Sequence, residues 1–165
     1  MTPSFVAECT LGRLAKWLRL AGFDTVYVTG RPDARRLTAQ CRKADSLILT
    51  RTIRIQRQLP SARTILIEAD APLNQVRQVM RRLDLHYSDL RPLTICAICN
   101  QPLAAVEKSA LQHRVPDYTF RRHETFHECG MCGRIYWSGS HTRRWMVAMH
   151  RWFESGSNDP VEIDD

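Results

Sequence analysis

Two Cys-x-x-Cys units, Cys96-Ala-Ile-Cys99 and Cys129-Gly-Met-Cys132, stand 29 residues apart in a chain of 165 residues. Two thiolates with two residues between them bind one tetrahedral ion, and a second such pair completes a site closed to substrate. This constrains the fold more than any other feature, because it brings two distant segments to a single point. The region around the cysteines has too few apolar residues to fold unaided, so a structural zinc held by Cys96, Cys99, Cys129 and Cys132 is the expected staple. Gly130 and Gly133 are expected to let the backbone wrap the second pair. His123 and His127 lie close enough in sequence to stand in for a cysteine. A redox role is disfavoured, since neither unit sits between a strand and a helix of a βαβ repeat. Cys9 and Cys41 fall beside apolar positions and read as small core fillers.

The first 91 residues follow a different pattern. "PSFVAE" (3–8) reads as a strand, and Leu11, Leu14, Ala15 and Leu18 recur at helical spacing until Gly22. That helix places Arg13, Lys16 and Arg19 on its wetter side. Residues 24–29 read as a strand, 32–44 as a helix with Ala34, Leu37 and Cys41 inward, 46–50 as a strand and 51–58 as a short helix. A fourth strand (63–69) leads to a helix opened by Pro72. Strands that alternate with helices make a mainly parallel sheet covered on both faces, so the expected class is α/β. From Leu85 the period breaks, and short strands and loops are expected until about 137. A helix follows, with Trp145, Val147, Met149, Trp152 and Phe153 to dock it on the body. The expected units are 1–91, an α/β domain; 92–153, a metal-stapled ribbon with its helix; and 154–165, an acidic disordered tail.

In open α/β sheets ligands bind beyond the carboxyl ends of the strands. Those ends carry Glu8, Asp33, the stretch Thr50-Arg51-Thr52, and Asp70. Glu8, Asp33 and Asp70 together can ligate Mg²⁺ or Mn²⁺ and serve phosphodiester hydrolysis, although Asp33 beside Pro32 is also placed to cap a helix. The net charge is +7, but the last twelve residues hold five acids and no base, leaving residues 1–153 with 24 Lys and Arg against 12 acids. That balance favours a polyanionic partner, most simply nucleic acid. Arg13, Lys16, Arg19 and Arg51 leave the same sheet edge and are the candidate phosphate ligands. No apolar run reaches the roughly 20 residues of a membrane span. The N-terminal "MTPSFVAECT" lacks the pattern of a secretory signal, so the cytoplasm is the expected address and disulfides are not expected.

The stretches "LGRLAKWLRLAGFDT", "LILTR", "APLNQV", "CAIC" and "CGMCGRIYWSGSH" resemble the C-terminal RNase domain of the Mut-seven exonuclease family, from about Phe5 to Trp145. The resemblance implies a PIN-like three-layer nuclease fold followed by a zinc ribbon. It implies metal-dependent RNA cleavage by acids at the strand ends, with Glu8, Asp33 and Asp70 as the matching positions here. Two departures stand out. Glu8 replaces the usual first aspartate, and the third-strand pattern L-T-R-D reads Leu49-Thr50-Arg51-Thr52, so a metal-binding acid is expected at 52 and absent. A hydroxyl is a weak neutral ligand, and the implied activity is therefore weakened. The alternatives are a non-catalytic RNA-binding or ribonucleoprotein-associated module, and a DNA-binding regulator whose ribbon contacts duplex.

Overall fold

The computed structural model describes residues 2–41 and 44–155. Phe5-Val6-Ala7 is apolar on both sides, as a strand buried on both faces must be, and it forms β1 (Phe5–Ala7) within a four-stranded parallel sheet. Its partners are β2 (Thr25–Tyr27), β3 (Leu47–Thr50) and β4 (Thr64–Leu66), in the order β2-β1-β3-β4. Phe5 lies opposite both Thr25 and Leu47. The chain runs from β1 outward to β2, then back across β1 to β3, so the strand order reverses between β1 and β3. That gap is where the carboxyl edge opens to ligands.

Side-chain alternation divides the core into two layers. On one face Phe5, Ala7, Leu49, Ile65 and Ile67 pack against α1 (Gly12–Leu20), α4 (Pro72–Arg82) and α6 (Ser140–Ser155). On the other face Val6 and Ile48 meet Ala34 and Leu37 of α2 (Ala34–Ala39) and Ile55 of α3 (Ile53–Gln58). The body is therefore a three-layer α/β unit, as expected. Its elements are shorter than the sequence pattern suggested: α2 stops at Ala39 rather than 44, and β4 covers Thr64–Leu66 rather than 63–69. Residues 42 and 43, inside the expected helix, lie outside the described residues.

Beyond Arg91 the chain forms an antiparallel sheet of β5 (Leu103–Val106), β6 (Phe126–Cys129) and β7 (Ile135–Trp137). Its small core is Leu111, Val115 and Phe126. The loops expected here include one α-helix, α5 (Asp117–Arg122), and a 3₁₀ helix at Lys108–Leu111. α6 returns to the body, where Trp145, Met149 and Trp152 join the larger core and Trp17 stacks on Trp145 at 5.9 Å and 9°. Val147, expected to face inward, is 44% exposed, because helical spacing carries it off the buried stripe. Of the expected tail, Glu154 and Ser155 close α6 and 156–165 lie outside the described residues. No helix among the described residues is long and apolar enough to cross a membrane.

The ribbon is fastened to the sheet's β2 edge. Thr25 turns its backbone N–H and C=O outward: the N–H donates to Asn100 Oδ1 (2.9 Å) and the C=O accepts from Arg19 Nε (2.8 Å). Asn100 Nδ2 also donates to Asp24 (2.6 Å). The linker docks at Arg91, whose N–H donates to Ala21 O (2.8 Å). Gly22 makes that approach possible. Its φ is +92°, and a Cβ there would fall 2.3 Å from the Arg91 carbonyl oxygen.

Candidate functional site

The strand-order reversal brings Glu8 and the Thr50–Thr52 turn together. Glu8 follows β1 and is fully buried. Its carboxylate accepts from the hydroxyls of Thr10 (2.8 Å) and Thr50 (2.5 Å), and from the Arg51 backbone N–H (2.9 Å). The Thr52 hydroxyl lies 3.3 and 3.4 Å from its two oxygens. Thr52 sits at the start of α3, where its carbonyl accepts from Ile55 and Gln56. Its hydroxyl makes no capping bond to that helix and turns to Glu8 instead. Position 52 thus faces the buried carboxylate, as its place in the third-strand motif implied. Among the described residues the donors to Glu8 are all neutral, and they satisfy its oxygens without adding a charge.

The other two strand-end acids are placed differently. Asp70 is exposed and ion-paired with Arg51 at 2.5 Å, so Arg51 joins the two carboxylates through its backbone on one side and its guanidinium on the other. Asp33 caps α2, accepting from the Arg36 backbone N–H at 3.0 Å. Among the described residues the only group of three or more His, Cys, Asp or Glu able to hold an ion is the cysteine set. Among the described residues Glu8, Asp33 and Asp70 do not form a group of three close enough to share one ion. Thr10 and Thr50, the hydroxyls that fill the Glu8 oxygens, carried no signal in the sequence beyond their closeness to strand ends.

The four candidate cations also separate. Arg13 and Lys16 are exposed on α1, and Arg51 is exposed at the carboxyl edge. Arg19 is withdrawn from that surface. It is 9% exposed, and besides Thr25 its guanidinium donates to the carbonyls of Ala97 (3.0 Å) and Ile98 (2.8 Å). Its position on the wet side of α1 is covered by a segment more than seventy residues away, which helical periodicity does not register.

Ala97 and Ile98 are the interior of the first cysteine pair. The ligand sulfurs of Cys96, Cys99, Cys129 and Cys132 all lie within 4.8 Å of one another, and those of Cys96 and Cys132 are 3.8 Å apart. A tetrahedron with metal–sulfur bonds of about 2.3 Å has edges of about 3.8 Å, so the donor set fits a structural metal such as zinc. His123 and His127 take no part in the cluster. The two pairs share one backbone design. Cys96 N–H donates to Gln101 O and Asn100 N–H to Cys96 O; likewise Cys129 N–H donates to Arg134 O and Gly133 N–H to Cys129 O. Both turns need a left-handed residue after the second cysteine, met by Asn100 (φ 58°) and Gly133 (φ 66°). Gly130 has no such requirement.

Electrostatics around the sulfurs also favour a cation. Desolvation pushes the Cys96 thiol up, but the Cys99 N–H, the Tyr136 hydroxyl and the Ile98 N–H pull it down further, to about 6. Cys99 is pushed up to about 12 by its hydrogen bond with Cys132, by desolvation and by the charge on neighbouring thiolates. A positive ion between them removes that conflict. Tyr136, whose hydroxyl lies 3.1 Å from Cys96 Sγ, was not foreseen; desolvation and the Cys96 thiolate hold its phenol above the ordinary value.

No curated protein and no solved structure matches the chain. The family model of the Mut7-C RNAse domain matches residues 3–149, which takes in the α/β body, both cysteine pairs and the first two turns and more of α6. With the strand-end motif, the parallel sheet and the cysteine ribbon all inside that span, the chain belongs to the Mut7-C RNAse domain family.

Proposed function

We propose that the chain is an RNA-directed protein built on a ribonuclease fold, with one structural zinc in its ribbon and a carboxyl-edge site that binds catalytic divalent metal weakly. The observation that carries this reading is the coordination of Glu8: two threonine hydroxyls and a backbone N–H fill its oxygens, and a third threonine stands where the family motif has an acid. Neutral oxygens contribute little to holding Mg²⁺, which relies on one or two carboxylates. A second reading, a non-catalytic RNA-binding module, is favoured by the commitment of Asp33 to a helix cap and of Asp70 to Arg51.

Cleavage of single-stranded and structured RNA in Mg²⁺ and in Mn²⁺ separates the two. The native chain is expected to cut weakly, more in Mn²⁺, which oxygen and nitrogen ligands bind more tightly than Mg²⁺. Thr52→Asp is expected to raise metal affinity and cleavage by at least about tenfold, the equivalent of roughly 1.4 kcal/mol, and Glu8→Gln in that background to abolish the gain. Strong Mg²⁺-dependent cleavage by the native chain that survives Glu8→Gln would refute the site. A folded Thr52→Asp variant that neither binds metal nor cuts RNA establishes the non-catalytic reading.

A further inference from the structure

A cleft of about 910 Å³ runs between α1 of the body, the cysteine ribbon and the start of α6. Its volume is at the upper end of the roughly 300–1,000 Å³ typical of ligand sites. The lining is unusual in two respects. Among the described residues it carries Arg13, Lys16, Arg114 and Arg134 and no Asp or Glu, and it carries three tryptophans, Trp17, Trp137 and Trp145, with Tyr136. Arg13, Lys16 and Arg134 are exposed, and Arg114 is ion-paired with Glu128.

We propose that this cleft is a single-strand channel, in which the phosphates of an unpaired RNA segment lie on Arg13, Lys16 and Arg134 while bases stack on Trp17 and Trp137. The inference deepens the proposed function and rests on its RNA-directed reading. Sequence-tolerant binding of single strands needs two components together, a cationic track and rings for base stacking. Both are present, and they come from different parts of the molecule: the track and one ring from α1, the other cation and ring from the ribbon. Trp17 is half-buried and stacked on the buried Trp145, which fixes its plane before any ligand arrives. A base laid on Trp17 extends a stack that already exists, at little cost in side-chain ordering. A duplex gains nothing from these rings, since its bases are already stacked on each other.

The test is anisotropy of a labelled oligouridylate on the full zinc-loaded chain across a salt series, with the same strand annealed to its complement as control. Trp17→Leu is expected to weaken single-strand binding about tenfold while Trp17→Phe retains most of it. The triple variant Arg13→Gln, Lys16→Gln, Arg134→Gln is expected to flatten the slope of log K against log salt by about two, at roughly 0.7 per phosphate contact on a single strand. Its three positions are exposed, so it reports on binding even if the Trp17 variants do not fold. Duplex binding is expected not to respond to Trp17. Tight RNA binding by the native chain with an unchanged slope in the triple variant overturns the channel and leaves the RNA-directed reading intact. No RNA binding by the native chain at low salt overturns both. If RNA binding ignores the variants while tryptophan fluorescence responds to a peptide of residues 156–165, the cleft belongs to the chain's own acidic segment, and the proposal is wrong.

Discussion

Arg19 bonds to both parts of the molecule at once. One guanidinium serves the Thr25 carbonyl of the body and the Ala97 and Ile98 carbonyls of the ribbon, at 2.8, 3.0 and 2.8 Å. Removing it leaves buried acceptors unpaired, each worth about 1–3 kcal/mol. Arg19→Met is therefore expected to cost about 3 kcal/mol and to lower Tm by about 10 °C, read by thermal denaturation. Lysine is expected to recover little, since a point charge cannot span three acceptors as a planar fork does. A shift within about 1 °C would show that the clamp carries no weight. The sequence marks Arg19 as a surface charge, because the covering strand end and cysteine turn are invisible to local periodicity. Position 52 was legible for the opposite reason: a four-residue motif at a strand end fixes where its last side chain points. What the motif could not supply was the surrounding threonines, or the use of Asp33 and Asp70 elsewhere.

The cysteine turns are the elements most fully written in the sequence, since their geometry depends on five consecutive residues and the left-handed fifth position is met by Asn or Gly. The second glycine expected to matter, Gly130, does not, because the turn's only left-handed residue comes after the second cysteine. Metal analysis is expected to find one zinc per chain. Chelation is expected to abolish the near-ultraviolet signal of the ribbon aromatics and to unfold β5, β6 and β7, which share only a small apolar core. Helices α1 and α4, packed in the larger core, are expected to retain far-ultraviolet ellipticity. Retention of ribbon order in Cys129→Ser would contradict a metal-stapled fold. Helix α6 was legible as amphipathic but not in its docking, which depends on Trp17 of α1 meeting Trp145.

On the scale of the whole molecule, alternation of strands and helices implied the three-layer body, and the pattern break near Arg91 implied the ribbon. The change of pattern was legible, but the attachment of the ribbon and of α6 to the body was not. The ribbon is seated on the sheet through single contacts such as Arg91 to Ala21 and Asn100 to Asp24, which no periodic pattern encodes. One consequence follows from where it sits. β2 is an outer strand of the parallel sheet, and an uncovered outer strand is a template for pairing with another chain. Here the outward groups of Thr25 are occupied by Asn100 and Arg19, so a metal held by the cysteine turn that carries Asn100 would also guard the strand. Stripped of zinc, the chain is expected to self-associate through β2. Mutual repulsion from a net charge of +7 opposes this, so light scattering by chelated protein is expected to rise with added salt while metal-loaded protein stays monodisperse. A metal held in the ribbon would then protect the colloidal state of the protein as well as its local order.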